Sequence, residues 1–309
     1  MDLRVFTEPQ QGASYDQLLT MAMAAEECGF NAFFRSDHYL KMGDASGLPG
    51  YTDAWTTLAA LARDTRTIRL GTLVTPVTFR PVGSFPVVVS QVDHMSGGRV
   101  EVGLGAGWYE AEHRNYGLAF PPVRTRYDLL EDQLKILHGV WSTPAGEVFE
   151  YKGLTCSVQI EAAPLIPAQR PHPPLIMGGG GGRRNAGLAA VYADEFNAPF
   201  VGPPEAAKAY GSVRRACEES GRDPAEILFS AANIVCCGRS EAELSRRASV
   251  IGRELAELRQ NGIAGSPAEV VERLGAYAAA GARRAYLQVL DLSDLDHLRL
   301  IAEEVMRQV

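Results

Sequence analysis

Apolar runs of strand length alternate with segments of helical period along most of the chain, the pattern of stacked strand–helix units. Leu3–Phe6 reads as a first short strand. Ser14 with Gln17 three residues later forms a capping box for a helix carrying Leu18, Met21, Ala22 and Ala25 and stopping at Gly29. Asn31–Arg35 reads as a second strand, and Asp53 as the cap of an alanine-rich helix ending near Arg63. Ile68–Thr75 and Arg99–Leu104 read as the third and fourth strands, with a helix over Ser84–Asp93 between them. After Thr125 the spacing of Tyr127, Leu130, Leu134, Leu137 and Trp141 predicts a helix with one buried face, and Glu131 and Lys135 pair outside it.

The rhythm breaks over Thr143–Pro173, where Val148–Tyr151 and Leu154–Ile160 flank Lys152-Gly153 like a hairpin before a proline-rich stretch. We read this as an insertion. Strands resume at Leu175–Met177, Glu195–Ala198, Ile227–Cys236 and Ala285–Leu290. Helices are expected from Arg183 to Tyr192, after Pro203, from the caps Ser240 with Glu243 and Ser266 with Glu269, and after a cap at Ser293. Eight strands with eight or more helices and no break in composition predict one domain, a closed parallel (β/α)8 TIM barrel spanning residues 1–309. Such a barrel needs about 250 residues, which leaves room for the insertion. Its chemistry belongs at the carboxyl ends of the strands. That rule selects Glu8, Asp37 and His38, Leu73 to Pro76, Gly105 to Glu110, Gly178 to Arg184, Asn197 and Asp291.

Composition narrows the field. With 309 residues, 46% hydrophobic, 22% charged and a net charge of −7, the chain has ample core and no basic run. Nucleic acid and anionic membrane are therefore poor partners. No apolar stretch approaches the roughly 20 residues of a membrane span. The opening MDLRVFTEPQ lacks the regions of a signal peptide, and five cysteines make a disulfide framework improbable. A cytoplasmic protein is expected.

Gly178 to Gly182 are five consecutive glycines between a strand and a helix, followed by Arg183 and Arg184. Bare backbone can approach a phosphate closely and aim several N–H groups at it, with the helix N-terminus and an arginine assisting. We read an anion cradle rather than a flexible turn, because five idle glycines carry a large entropic cost. It is neither a Walker loop nor a dinucleotide fingerprint. Gly103-Leu104-Gly105-Ala106-Gly107-Trp108 also fails that fingerprint. Its small residues leave room for a flat ligand, or serve close strand–helix packing, and spacing alone leaves both open. His38 stands between a solvated loop histidine and a reacting one until barrel topology places it at a strand exit. The six histidines show no metal-ligand spacing, neither CxxC nor HExxH occurs, and Cys236 and Cys237 point to opposite faces of a strand. No metal is expected.

These residues together resemble the luciferase-like flavin and deazaflavin oxidoreductases, specifically the branch that uses coenzyme F420. The likeness is carried by FFRSDHY at 33–39, LGTLVTP at 70–76 and DHMSGGRVEVGLGAGWYEAEHRNYG at 93–117. It continues through PLIMGGGGGRRNAGLAAVYADEFN at 174–197 and GSPAEVVERLGAYAAAGARRAYLQ at 265–288. The resemblance implies an eight-stranded barrel with an insertion near the fifth strand. It implies that Asp37 and His38 sit against a deazaflavin ring, with His38 as the catalytic residue orienting the ring or relaying a proton. Leu73-Val74 matches a non-proline cis peptide supporting one ring face. Gly105, Ala106 and Gly107, with Trp108, match the strand end beside the cofactor. Gly178, Gly179, Gly180 and Gly181 with Arg183 match the loop that holds its phosphate. Sugar-phosphate dehydrogenases of the family carry a glutamate where Trp108 stands, which argues against a phosphorylated sugar. Glu8, Tyr109 and Glu110 are the remaining acid candidates, Glu8 being read as a solvated loop carboxylate.

The expected reaction is hydride transfer between C5 of coenzyme F420 and a small organic substrate. The alternatives are a reduced-FMN-dependent monooxygenase on the same scaffold and a non-catalytic flavin- or deazaflavin-binding protein. Family members are often homodimers.

Overall fold

Eight parallel strands close on themselves: β1 (Asp2–Thr7), β2 (Ala32–Arg35), β3 (Arg69–Thr72), β4 (Val100–Gly105), β5 (Leu175–Gly178), β6 (Glu195–Pro199), β7 (Leu228–Cys237) and β8 (Arg284–Val289). Each pairs with the next, and β8 returns to β1 with Asp2 opposite Arg284 and Thr7 opposite Val289. This computed structural model describes residues 1–161 and 166–309. The expected hairpin is present as Phe149–Lys152 against Ser157–Ile160, whereas part of the proline-rich stretch, 162–165, lies outside the described residues.

Helices α1 (Tyr15–Glu27), α2 (Ala54–Asp64), α3 (Phe85–Ser96), α4 (Glu110–Asn115), α5 (Val123–Ser142), α6 (Arg183–Tyr192) and α7 (Pro203–Ser220) follow in chain order, with α8 (Glu241–Val250), α9 (Leu255–Asn261), α10 (Pro267–Ala280) and α11 (Leu295–Glu304) after β7 and β8. The starts of α1, α2, α8, α10 and α11 carry side-chain caps. Ser14 with Gln17 and Ser266 with Glu269 form complete capping boxes, and Asp53 accepts from the Thr56 amide. The last helix differs from expectation. Ser293 donates its hydroxyl to Asp291 at 2.6 Å, so the chain turns one residue later and Asp294 caps α11 by accepting from the His297 amide.

The third strand is also shorter than its apolar run. It stops at Thr72, the Leu73–Val74 peptide is cis, and Thr75–Pro76 then pairs separately with Leu104 and Gly105.

Strand residues alternate between two compartments. Val5, Phe33, Leu70 and Val102 face the helices, while Phe6, Phe34, Leu73, Ile176 and Tyr286 fill the barrel interior. Beneath them, at the amino ends of the strands, lies a floor of charges. Buried Arg4 donates to Glu101 at 2.6 Å and to Asp2 at 2.9 Å, and Arg284 bridges Asp2 at 3.0 Å and Glu195 at 2.5 Å. Arg69 also pairs with Glu101. Burial opposes ionisation of Glu101, but Arg4 and Arg69 hold its carboxyl below the usual range. Removing one partner of such a set strands the others in a dry interior. Glu101→Gln should therefore cost on the order of 3–5 kcal/mol, read from urea unfolding midpoints; a cost within experimental error would show that the floor is not holding the barrel.

A second prediction concerns acid. Burial, then Arg247, push His297 from its ordinary value of 6.5 down to about 4, and its neutral Nε2 accepts from the Cys237 amide at 2.9 Å. The stability this contributes is present above pH 6.5 and is lost as pH falls through about 4. The loss amounts to about 3 kcal/mol at most. His297→Gln should flatten that part of the pH–stability curve, measured by calorimetry between neutral and mildly acidic pH.

Candidate active site

Parallel closure puts every strand exit at one mouth, and the polar residues of the sequence gather there. At the exit of β2, His38 is only 9% exposed, and its Nδ1 lies 2.9 and 3.1 Å from the two oxygens of Glu112 on α4. Glu112 is fully buried and also accepts from the Tyr39 amide at 3.0 Å. That geometry assigns a proton to Nδ1 and leaves Nε2 as the ring nitrogen not engaged by Glu112. The ring stands edge-on to Trp108, with centroids 5.8 Å apart.

Asp37 is placed behind this histidine. It is fully buried, accepting from Arg80 at 2.5 Å and from the Thr75 hydroxyl at 2.9 Å. Arg80 also pairs with Asp53, which accepts from the Tyr39 hydroxyl at 2.5 Å. Partial burial opposes ionisation of Asp53, yet Arg80, Tyr39 and the Thr56 amide bring its carboxyl down to about 2. The clamp fixes the exits of β2 and β3 relative to α2. Neither Arg80 nor Glu112 was singled out in the sequence, because each acts on a partner 43 or 74 residues away. The one available signal was that Glu112 falls two residues past Glu110, inside the family block at 93–117.

Across the mouth, Val74 fits against Gly105. A Cβ on Gly105 would lie 2.8 Å from Val74 Cγ2, so only glycine admits this approach. Ala106 and Gly107 continue the exit, and Trp108 projects from it 65% exposed. Leu104 is opposite Met177, which brings Gly105 beside Gly178 on the neighbouring strand. The Gly178–Gly182 segment then leads into α6. Gly179 donates to Asn197 O at 3.0 Å, while among the described residues the amides from Gly180 to Asn185 have no acceptor. Asn185 Oδ1 is buried without a partner at the same place. Gly181 has φ +68 and would drive a Cβ to 2.9 Å from the Ala209 backbone, whereas Gly180 faces open space. The two arginines separate. Arg184 is taken by Asp128 at 2.6 Å and Glu131 at 3.2 Å, and only Arg183 stays exposed without an ion pair among the described residues.

A chamber of 1030 Å³ opens at the mouth, and of the residues expected at strand exits Glu8, Trp108 and Asp291 line it. Its wall includes Glu8, which corrects the reading of Glu8 as a solvated carboxylate. Glu8 is half-buried at the exit of β1, and burial pushes its carboxyl up, with nearby His38 opposing. The other acid candidates point elsewhere. The Tyr109 hydroxyl donates to Lys41 O at 2.9 Å, and Glu110 is exposed.

The fold has close relatives. Over 99% of this chain and 98% of the other, it superposes on the coenzyme F420-dependent tetrahydromethanopterin reductase of Methanopyrus kandleri with TM-score 0.81 at 19% identity. It superposes equally, TM-score 0.81 at 17% identity over 100% and 99% of the two chains, on the oxygenating constituent of 3,6-diketocamphane monooxygenase from Pseudomonas putida in complex with FMN. In sequence, an F420-dependent hydroxymycolic acid dehydrogenase of Mycobacterium tuberculosis is 29% identical over 69% of this chain and 56% of its own. The chain spans 44% and 64% of the length of two further curated relatives it matches. The profile of the luciferase-like monooxygenases matches residues 1–257. With the barrel, its mouth and that match in agreement, the chain belongs to the luciferase-like monooxygenase family.

Proposed function

We propose that this protein is an F420-dependent oxidoreductase acting on a small organic substrate. The observation that carries the reading is the juxtaposition of an uncapped, glycine-led helix N-terminus with the small-residue exit Gly105-Ala106-Gly107 of the neighbouring strand. The residues present fit such a cofactor. Gly180, Gly181 and Gly182, the first turn of α6 and the exposed Arg183 offer unengaged donors to a phosphate. Gly105, Ala106 and Gly107, packed close against Val74 and Pro76, keep that exit free of bulky side chains up to Trp108, as a tricycle beside it would need. Bound there, the deazaflavin supplies a two-electron hydride carrier.

The chain's own residues do the rest. His38 Nε2 takes or returns the proton that accompanies the hydride, while Glu112 fixes the ring plane and tautomer through Nδ1. Glu112 is thus a positioning residue. Glu8, whose carboxyl is raised chiefly by burial, stands at the adjoining exit of β1, on the wall of the chamber. Trp108 stands edge-on to His38 and on the chamber wall, between the histidine and the chamber.

The family description favours one other reading, a reduced-FMN-dependent monooxygenase. Titration of the purified protein with F420 and with FMN, followed by quenching of tryptophan emission, separates the two. F420 should bind the more tightly, and a preference for FMN of tenfold or more, or oxygen consumption during turnover, would overturn the proposal.

Two sets of variants follow. His38→Ala should lower kcat by about 10²–10⁴. Glu112→Gln should lower it less and displace the pH–rate profile, because the imidazole loses the carboxylate that orients it. Steady-state kinetics across pH distinguishes this from simple loss of fold. In the glycine loop, Gly180→Ala should fold normally yet bind F420 several-fold more weakly, since its Cβ would enter open space where the phosphate is expected. Gly181→Ala should instead lower the melting temperature, because of its left-handed backbone and its contact with Ala209.

A further inference from the structure

The chamber at the exits of β1, β7 and β8 has a chemical character of its own. Four carboxylates line it, Glu8, Asp44, Glu257 and Asp291, against one guanidinium, Arg253, a formal excess of three negative charges. Among the described residues no three of the molecule's histidines, cysteines, aspartates and glutamates stand close enough to hold a metal ion. The acidity is spread around a volume of 1030 Å³ instead of being gathered at a point.

Two further observations point to a ligand. Gln288, on β8, is 3% exposed, lines the chamber and has no side-chain hydrogen bond among the described residues. Its neighbour Asn233, on β7 and 1% exposed, commits its amide NH₂ to the Tyr277 hydroxyl at 3.0 Å and keeps its carbonyl oxygen for the chamber. Amide groups that line a chamber without a protein partner are free to bond a ligand that enters it. The second observation is aromatic. Trp108 and Phe200 lie on the chamber wall 65% and 52% exposed. Phe200 reaches its place through a left-handed backbone, φ +54, that a bulky residue seldom adopts. Exposed aromatic faces, dispersed carboxylates and neutral carbonyl acceptors are together the surroundings in which an organic ammonium group is bound.

We propose that the substrate taken in this chamber is an organic cation, a protonated or quaternary amine, its charge held between Trp108 and Phe200 and balanced by Glu8 and Glu257. The proposal rests on the reading of the neighbouring mouth as the cofactor site. It deepens that reading by naming the substrate class. Glu257 contributes an oxygen that is buried without a partner, and Glu8 stands at the exit of β1 beside the β2 exit that carries His38. A cation arriving between them supplies the counter-charge that the wall lacks.

The test uses the full chain without cofactor and three probes of one shape: choline, its uncharged carbon isostere 3,3-dimethylbutan-1-ol, and the anion 3,3-dimethylbutanoate. Binding is read by calorimetry and by Trp108 emission. Choline should bind at least tenfold more tightly than the alcohol and more tightly still than the carboxylate, with the advantage shrinking as salt is raised. The double variant Glu8→Gln, Glu257→Gln should erase most of that tenfold difference. Should that variant not fold, Trp108→Ala offers an independent check, expected to weaken choline more than the alcohol. Equal or tighter binding of the alcohol or the anion, or no saturation by choline, would overturn the proposal. Because no cofactor is present, failure here leaves the deazaflavin assignment standing, and failure of the F420 titration would not alter the choline result.

Discussion

The closure of β8 onto β1 is the constraint from which the remainder follows. It aligns eight strands in one direction, so that a set of charges lies at the amino ends and the reactive side chains lie at the carboxyl ends. Arg4, Glu101, Glu195 and Arg284 meet inside the barrel floor, each from a different strand. An ion set of this kind adds little net stability compared with a well-packed apolar plug. What it does add is a penalty against misregister, since sliding any of these strands by one residue would turn its charge outward and leave a partner buried alone. Above that floor, Phe34 and Tyr286 pack edge to face, 4.9 Å between centroids, and separate the charges from the mouth.

A second, smaller set of charges organises the mouth itself. Asp37 and Asp53 share Arg80, and Tyr39 ties into the same group. This pins the segment that carries His38 on one side, while Glu112 pins the imidazole on the other. The histidine is thereby held in one tautomer and one orientation without either carboxylate of the clamp facing the open mouth. Preorganisation of this sort removes the reorientation that a reacting group would otherwise need during proton transfer.

The mouth divides into two environments with opposite preferences. Around Gly178–Gly182 and Arg183, unengaged backbone amides and a helix N-terminus favour negative charge. Around Glu8, Glu257 and Asp291, carboxylates favour positive charge. Trp108 stands at the boundary, in contact with His38 and on the chamber wall.

The alternation of apolar strands and amphipathic helices was enough to indicate the barrel, the hairpin and most of the longer helices, because these depend on local period, helped at α1, α2, α8 and α10 by caps three residues apart. The glycine run and His38 were legible for the same reason, as unusual local compositions at strand exits. What only the tertiary structure decided were the relations between distant segments: Glu112 reaching His38, Arg80 reaching Asp37, and α5 claiming Arg184 while leaving Arg183 exposed. The displaced cap at Asp294 and the interruption of the third strand after Thr72 belong to this group too, since each depends on a neighbour competing for the same hydrogen bonds. Glu8 shows the difference most plainly. Its place after β1 was written in the chain, but its protonation state depends on how much water the surrounding wall excludes, and that is a property of the assembled mouth alone.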